Sequence, residues 1–199
     1  MYIVGLGNPG KEYEKTRHNV GWMVLDTLRT EWSCGDSVLK KHWQAVVCNC
    51  KNEEGMPLTL VYPQTFMNRS GETVRAIVHD DTNASVIIIH DDTALPLGTI
   101  KISQGRGDGG HNGIKSINHH VKQNDFVRIR IGVAAKRWWG SGHHTPTGRA
   151  LPKHVLSDFS WWERGAITDG IATAAAAVKV VSTQGVTVAM NIFNQTHKK

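Results

Sequence analysis

Apolar positions switch between two spacings along the chain. Residues 2–6 (YIVGL) form a short apolar run that predicts a buried strand, and 7–19 follow as a charged connector. Val20, Val24, Leu28 and Trp32 then recur at every fourth position, which is one face of a helix, with Asn19 placed as its N-cap. Residues 44–50 and 57–62 predict two strands joined by the polar turn NEEG. Ser70 is placed to cap a short helix carrying Val74, Ile77 and Val78, and 85–90 (SVIIIH) is the most apolar strand of the sequence.

Residues 99–104 alternate as a further strand, followed by the glycine-rich GRGDGGHNG and a helix reaching about residue 123. In 126–133 (FVRIRIGV), Val127, Ile129, Ile131 and Val133 share one face, and Arg128 and Arg130 share the other, about 6–7 Å apart along the strand. Residues 135–154 predict a long loop carrying Trp138 and Trp139. Ser160 and Glu163 form a capping box that opens a long Ala/Val helix, which Gly185 can end. Strands interleaved with helices, one of them continuously apolar, predict an α/β fold. The expected form is a single three-layer α/β/α domain over 1–199 with a mixed, largely parallel central sheet.

Composition narrows the classes modestly. Forty per cent apolar and 20% charged residues are ordinary for a globular chain of 199 residues. A formal charge of +6 and a pI near 9.3 favour polyanionic partners, whether RNA, DNA or an anionic membrane surface. Cys34, Cys48 and Cys50 are an odd set without a second pair to complete a thiolate zinc site, so reduced cysteines are expected. No apolar run is expected to reach the ~18 residues of a membrane span. The strand beginning at the second residue leaves no room for a signal or transit peptide, so a cytoplasmic location is expected.

Gly5-Leu-Gly7-Asn-Pro-Gly10 is a literal dinucleotide fingerprint, but its context is wrong. No helix opens at the third glycine, and Pro9 removes an N–H that a phosphate would need. No acidic residue ends a second strand about 20 residues later. Polar side chains gather instead after several strands: Asn8 and His18, then Asn68, then His90 and Asp91, then His111 and Asn112. Such a set suits acyl transfer to water. A histidine with a pKa near ~6.5 can take a proton from water, a carboxylate can orient it, and amides can donate to an oxyanion. G-x-S-x-G is absent, which favours direct water attack over a covalent intermediate. A metal set of His90, Asp91, Asp92 and His111 has no supporting ligand spacing, so neither a metal nor a cofactor is expected.

At this point the residues match a known pattern. GLGNPGKEYEKTRHNVGW (5–22), QTFMNRSG (64–71), HDD–LPLG (90–98), GGHNGIKSI (109–117) and FVRIRIGV (126–133) resemble the bacterial-type peptidyl-tRNA hydrolase family, in order and spacing. The resemblance implies hydrolysis of the ester between a peptide and the 3′ end of tRNA by a cytoplasmic monomer that needs no cofactor. It implies His18 as general base, Asp91 as its orienting carboxylate and Asn8 as a contact to the peptide. It also implies that Asn68 and Asn112 position substrate and water, with Tyr13, Phe66 and Met67 lining the cleft, and His111 is expected among the substrate-binding residues. Of the two basic residues that hold a tRNA phosphate in the family, Arg130 matches one, while Ser103 stands at the other. Lys101 or Arg106 can substitute there. Ala94 stands where an acidic residue is usual, and the 135–154 loop, a lid in the family, is longer than usual. Trp138 and Trp139 could stack on the CCA end or fold back on the core. RNA binding without catalysis and hydrolysis of small esters are the rival readings.

Overall fold

The computed structural model describes residues 1–105, 107–122, 125–136, 143–144 and 146–195. Arg106, Trp138 and Trp139 therefore lie outside the described residues. The strands are β1 (Tyr2–Gly5), β2 (Val38–Lys40), β3 (Ala45–Lys51), β4 (Pro57–Pro63), β5 (Val86–Pro96), β6 (Ile100–Gln104), β7 (Val127–Lys136) and β8 (His143–His144). The helices are α1 (Val20–Glu31), α2 (Ser70–Asp80), α3 (Asn112–His120), α4 (Ala150–Val155), α5 (Arg164–Gln184) and α6 (Val186–Phe193).

The sheet runs β2-β3-β4-β1-β5-β7-β6, with β8 paired to β7. β4, β1, β5 and β7 are parallel neighbours, whereas the pairs toward both margins are antiparallel. The mixed α/β architecture expected from the alternating pattern is thus present, and its parallel part is the four-strand centre. α1, α5 and α6 cover one face through Val24, Leu28, Ala174, Val178 and Ala189, while α2 and α3 cover the other through Val74, Ile77, Ile114 and Ile117. Because the four central strands point the same way, their carboxyl ends deliver four connectors to one edge of the sheet, the usual place for a site in such folds.

Several local expectations change. The span expected as a loop, 135–154, begins with the last residues of β7 and includes β8 and most of α4. Asn19 does stand at the N-cap position of α1, but its side chain makes no capping bond and is used elsewhere. Ser70 is the first residue of α2 rather than its cap, and its Oγ donates to the Met67 carbonyl at 2.9 Å. The capping box of Ser160 and Glu163 forms, and Gly185 ends α5 with φ 87.

Two expectations are overturned. Cys34 and Cys50 are joined in a disulfide, leaving only Cys48 free, where reduced cysteines were expected. The chain turns sharply after α1, with Ser33 at φ 46 and the Gly35 N–H donating to the Asn49 carbonyl at 3.1 Å, so Cys34 lands beside β3. Spacing alone cannot reveal such a pairing, because it depends on where the backbone returns. Residues 161–184 do form a helix long and apolar enough to cross a membrane. Its Ile167, Ala174, Ala177, Val178 and Val181 are buried in the protein core.

Candidate active site

The glycines that mimic a dinucleotide fingerprint have a packing role. A Cβ on Gly5 would come within 2.6 Å of the Gly21 carbonyl oxygen, and one on Gly21 within 2.6 Å of the carbonyl oxygens of Leu6 and Ile89. α1 therefore crosses β1 and β5 backbone against backbone, a contact only glycine permits. The turn preceding α1 is thereby held down over the carboxyl end of β5.

That turn is a short 3₁₀ segment, Arg17–Asn19, with all three side chains buried. His18 Nδ1 lies 2.8 Å from Asp91 Oδ1. Asp91 sits on β5, 1% exposed, and the same oxygen lies 2.8 Å from His111 Nε2. The protons can be placed by elimination. His111 caps α3, its Nδ1 accepting the backbone N–H groups of Gly113 at 3.1 Å and Ile114 at 3.3 Å. That nitrogen carries no proton, so Nε2 does, and it donates to Asp91. His18 donates its Nδ1–H to the same carboxylate oxygen. The remaining lone pair of His18 is then on Nε2, free to accept a proton.

Electrostatics agree with this assignment. Burial opposes a charge on His18, but the field of Asp91 and their hydrogen bond outweigh it and raise the imidazole above its usual 6.5. Burial likewise opposes ionisation of Asp91, yet the two imidazoles hold it well below the usual carboxylate range. His90, the preceding residue of the same strand, is pushed well down by burial and by His111, so it stays neutral. Its Nδ1 donates to the Asp91 carbonyl at 2.7 Å.

His18, Asp91 and His111 together offer ligand atoms within 4.8 Å of one another, close enough to hold a metal ion. Both imidazole nitrogens facing Asp91 carry protons in this bonding pattern, so the cluster fits a hydrogen-bonded relay better than a ligand set.

Asn8 lies in the connector after β1, 6% exposed. Asn19 grips its backbone from both sides, Asn8 N–H donating to Asn19 Oδ1 at 2.9 Å and Asn19 Nδ2 donating to the Asn8 carbonyl at 3.0 Å. The Asn8 side chain accepts the Met67 N–H through Oδ1 at 2.8 Å, which leaves its NH₂ as the donor available to a ligand. Sequence reading missed this role for Asn19; an asparagine before an apolar helical stripe reads most simply as a cap.

These groups line one cleft of about 920 Å³. Tyr13, exposed Phe66, buried Met67, and exposed Asn68 and Asn112 border it. The structure thus gathers Asn8, His18, Asn68, His111 and Asn112 from three connectors around Asp91 on β5. Leu151, Pro152, Val155 and Leu156, in and just after α4, supply an apolar wall, the first two from the span expected as loop.

The basic residues are arranged less simply. Arg130 lines the cleft but is paired with Asp92, Nη2 to Oδ2 at 2.6 Å and Nε to Oδ2 at 2.7 Å. Lys101 is exposed on β6 opposite Arg130 and is not among the cleft residues. Arg128, 3% exposed, donates from Nη1 to the Gly107 carbonyl at 2.8 Å and faces Ser103 across the strand pair.

Comparison with known proteins agrees across nearly the whole chain. The family model described as Peptidyl-tRNA hydrolase matches residues 2–199. The peptidyl-tRNA hydrolase of Agathobacter rectalis is 42% identical over 199 residues, covering 98% of this chain and 100% of that protein. That of Geobacillus thermodenitrificans is 40% identical over 196 residues, covering 97% and 98% respectively. The crystal structure of peptidyl-tRNA hydrolase from Acinetobacter baumannii superposes with a TM-score of 0.84 at 33% identity, over 97% of this chain and 93% of that one. With family match, relatives and fold in agreement, the chain belongs to the peptidyl-tRNA hydrolase family.

Proposed function

We propose that this protein hydrolyses the ester joining a peptide, or an N-blocked aminoacyl group, to the 3′ end of tRNA, with water activated by His18 and Asp91. One observation carries the reading: a buried carboxylate 2.8 Å from His18 Nδ1 leaves Nε2 as the basic nitrogen of a cleft-lining imidazole. His18 takes a proton from water as it attacks the ester carbonyl, and Asp91 stabilises the imidazolium that results. The oxyanion is held by amide donors, for which Asn68 and Asn112 are placed at the cleft rim. The Asn8 NH₂ contacts the peptide beside the ester. His18 returns its proton to the departing ribose hydroxyl, so the reaction consumes only water and needs no cofactor.

The acceptor stem is held by phosphate contacts from the basic face, with Arg130, Lys101 and Arg106 as the candidate cations. In this reading the enzyme acts as a cytoplasmic monomer. His18→Ala should lower kcat about 10²- to 10⁴-fold and leave tRNA affinity nearly unchanged. Release of tRNA is measured from an N-acetyl-aminoacyl-tRNA, its unblocked form and a simple ester. Equal rates on the simple ester would favour a general esterase, and tRNA binding without turnover would favour a pure RNA binder. Affinity should fall steeply with salt; indifference to salt would remove the phosphate contacts.

A further inference from the structure

Beside His18 lies a buried ion pair that the proposed chemistry does not use. Arg17 Nη2 meets Glu163 Oε2 at 2.7 Å, with side chains 6% and 3% exposed. Arg17 Cζ also lies 4.8 Å from the centre of the Phe159 ring. Burying two charges is costly, and an apolar pair of similar volume often serves stability as well or better. A stability role alone is therefore a weak account of this pair.

Its location suggests another. The three residues of the 3₁₀ turn are each pinned in a different direction: Arg17 to Glu163, His18 to Asp91 on β5, and Asn19 to the backbone of Asn8. Backbone contacts reinforce the first anchor. The Arg17 N–H donates to the Ser157 carbonyl at 3.1 Å, and Thr16 forms an antiparallel bridge with Asp158. Ser157–Glu163 runs directly on from α4, whose Val155, with Leu156 just beyond it, lines the cleft. Glu163 Oε2 also accepts the Ser160 N–H at 2.8 Å, so the capping box of the next helix and the ion pair share one carboxylate oxygen.

We propose that Arg17 and Glu163 are positioning residues that lock the general base to the apolar wall of the cleft, so that imidazole and bound substrate keep one geometry. The inference rests on the reading of His18 as the base. It assigns the pair no contact with substrate. Its loss should lower kcat and spare KM, because binding surfaces remain while the angle of attack is loosened.

Glu163→Gln keeps the cap acceptor and removes the charge, but it leaves Arg17 buried without a counter-ion and can compromise folding. The paired replacement Arg17→Met with Glu163→Met removes both charges at similar volume and keeps the test open. In folded protein, checked by circular dichroism and a cooperative melt, the double variant should lose roughly tenfold in kcat on N-acetyl-aminoacyl-tRNA with KM within about twofold. The same replacement in a His18→Ala background should cost nothing further, since there is no base left to misplace. A folded double variant with parental kcat would overturn the proposal, as would an equal loss in the His18→Ala background. Full activity of His18→Ala alone would instead strike the assignment of the base, so the two failures are told apart.

Discussion

Asp91→Asn isolates what the carboxylate charge contributes, and the structure sets an unusual expectation for it. In many histidine–carboxylate pairs the asparagine can turn its NH₂ toward the imidazole and force the wrong tautomer, with losses of about 10⁴. Here His111 opposes that rotation. Its Nδ1 is committed to two backbone N–H groups, so its Nε2–H must find an acceptor at residue 91. An asparagine would satisfy it by presenting the carbonyl oxygen where Oδ1 now stands, and the same oxygen accepts the His18 Nδ1–H. Geometry and tautomer survive, and only the charge is lost. A charge-assisted hydrogen bond is worth about 1.5–3 kcal/mol and a neutral one about 0.5–1.5 kcal/mol, so the difference is about 1–1.5 kcal/mol, or roughly tenfold in kcat. Asp91→Asn combined with His111→Ala frees the amide to rotate, and the loss should then grow beyond about 10²-fold, more than the two single losses multiplied. The assay is steady-state hydrolysis of N-acetyl-aminoacyl-tRNA, with each variant compared on the alkaline plateau of its own pH–rate profile. A loss near 10⁴ for Asp91→Asn with His111 intact, or no added loss on removing His111, would refute the tautomer argument.

Other consequences follow from the same contacts. Because Asp91 raises His18 above 6.5 and the base must be unprotonated, the acid limb of kcat/KM should fall above pH 6.5. In Asp91→Asn it should move to lower pH, since burial, which lowers the imidazole, is then unopposed; a limb that stays put would mean another group titrates. Asn19→Ala strips both partners from the Asn8 backbone. It should cost about 1–3 kcal/mol of stability and reduce the preference for N-blocked over free aminoacyl-tRNA several-fold, read as a ratio of kcat/KM values. Cys34→Ser opens a loop with a sequence separation of 16, worth about 3 kcal/mol. At about 2–4 °C per kcal/mol, Tm should drop by roughly 6–12 °C. kcat should stay within about twofold, because Cys50 pairs with Leu58 near the start of β4 and the cleft lies beyond its far end.

What could be read from the sequence is what is local. The apolar runs at 2–6 and 85–90 and the alternation in 126–133 place three central strands, because a strand buried on both faces writes itself as a continuous apolar stretch. The capping box at Ser160 and Glu163 forms as its spacing requires. Asn8, His18, Asp91 and His111 could be picked out because each follows a strand or opens a helix at the same sheet edge. Partners far apart in sequence were not legible. Cys34 with Cys50, Arg17 with Glu163 and Asn19 with Asn8 each depend on a turn or packing distance that no residue pattern encodes. In each case a plausible local role, whether free thiol, one charge in a charged connector or helix cap, hid a tertiary one.

Gly5 and Gly21 show how such a pairing can govern the site. Read locally, Gly5 belongs to a phosphate-binding fingerprint, and Gly21 is merely a weak helix former near the start of an apolar stripe. In space they are the two halves of one contact, in which a methyl group on either would meet backbone oxygen at 2.6 Å. That contact sets how closely α1 approaches β1 and β5, and the turn bearing His18 is the first thing α1 carries with it. Asp91 belongs to β5, two residues beyond Ile89, whose carbonyl lies against Gly21. The 2.8 Å separation between His18 and Asp91 therefore depends on the missing side chain of Gly21, three positions after His18 and packed on the carbonyl of Ile89, two before Asp91, as much as on the imidazole and carboxylate themselves. A search for chemistry that looks only at polar residues passes over the glycines that bring them within reach.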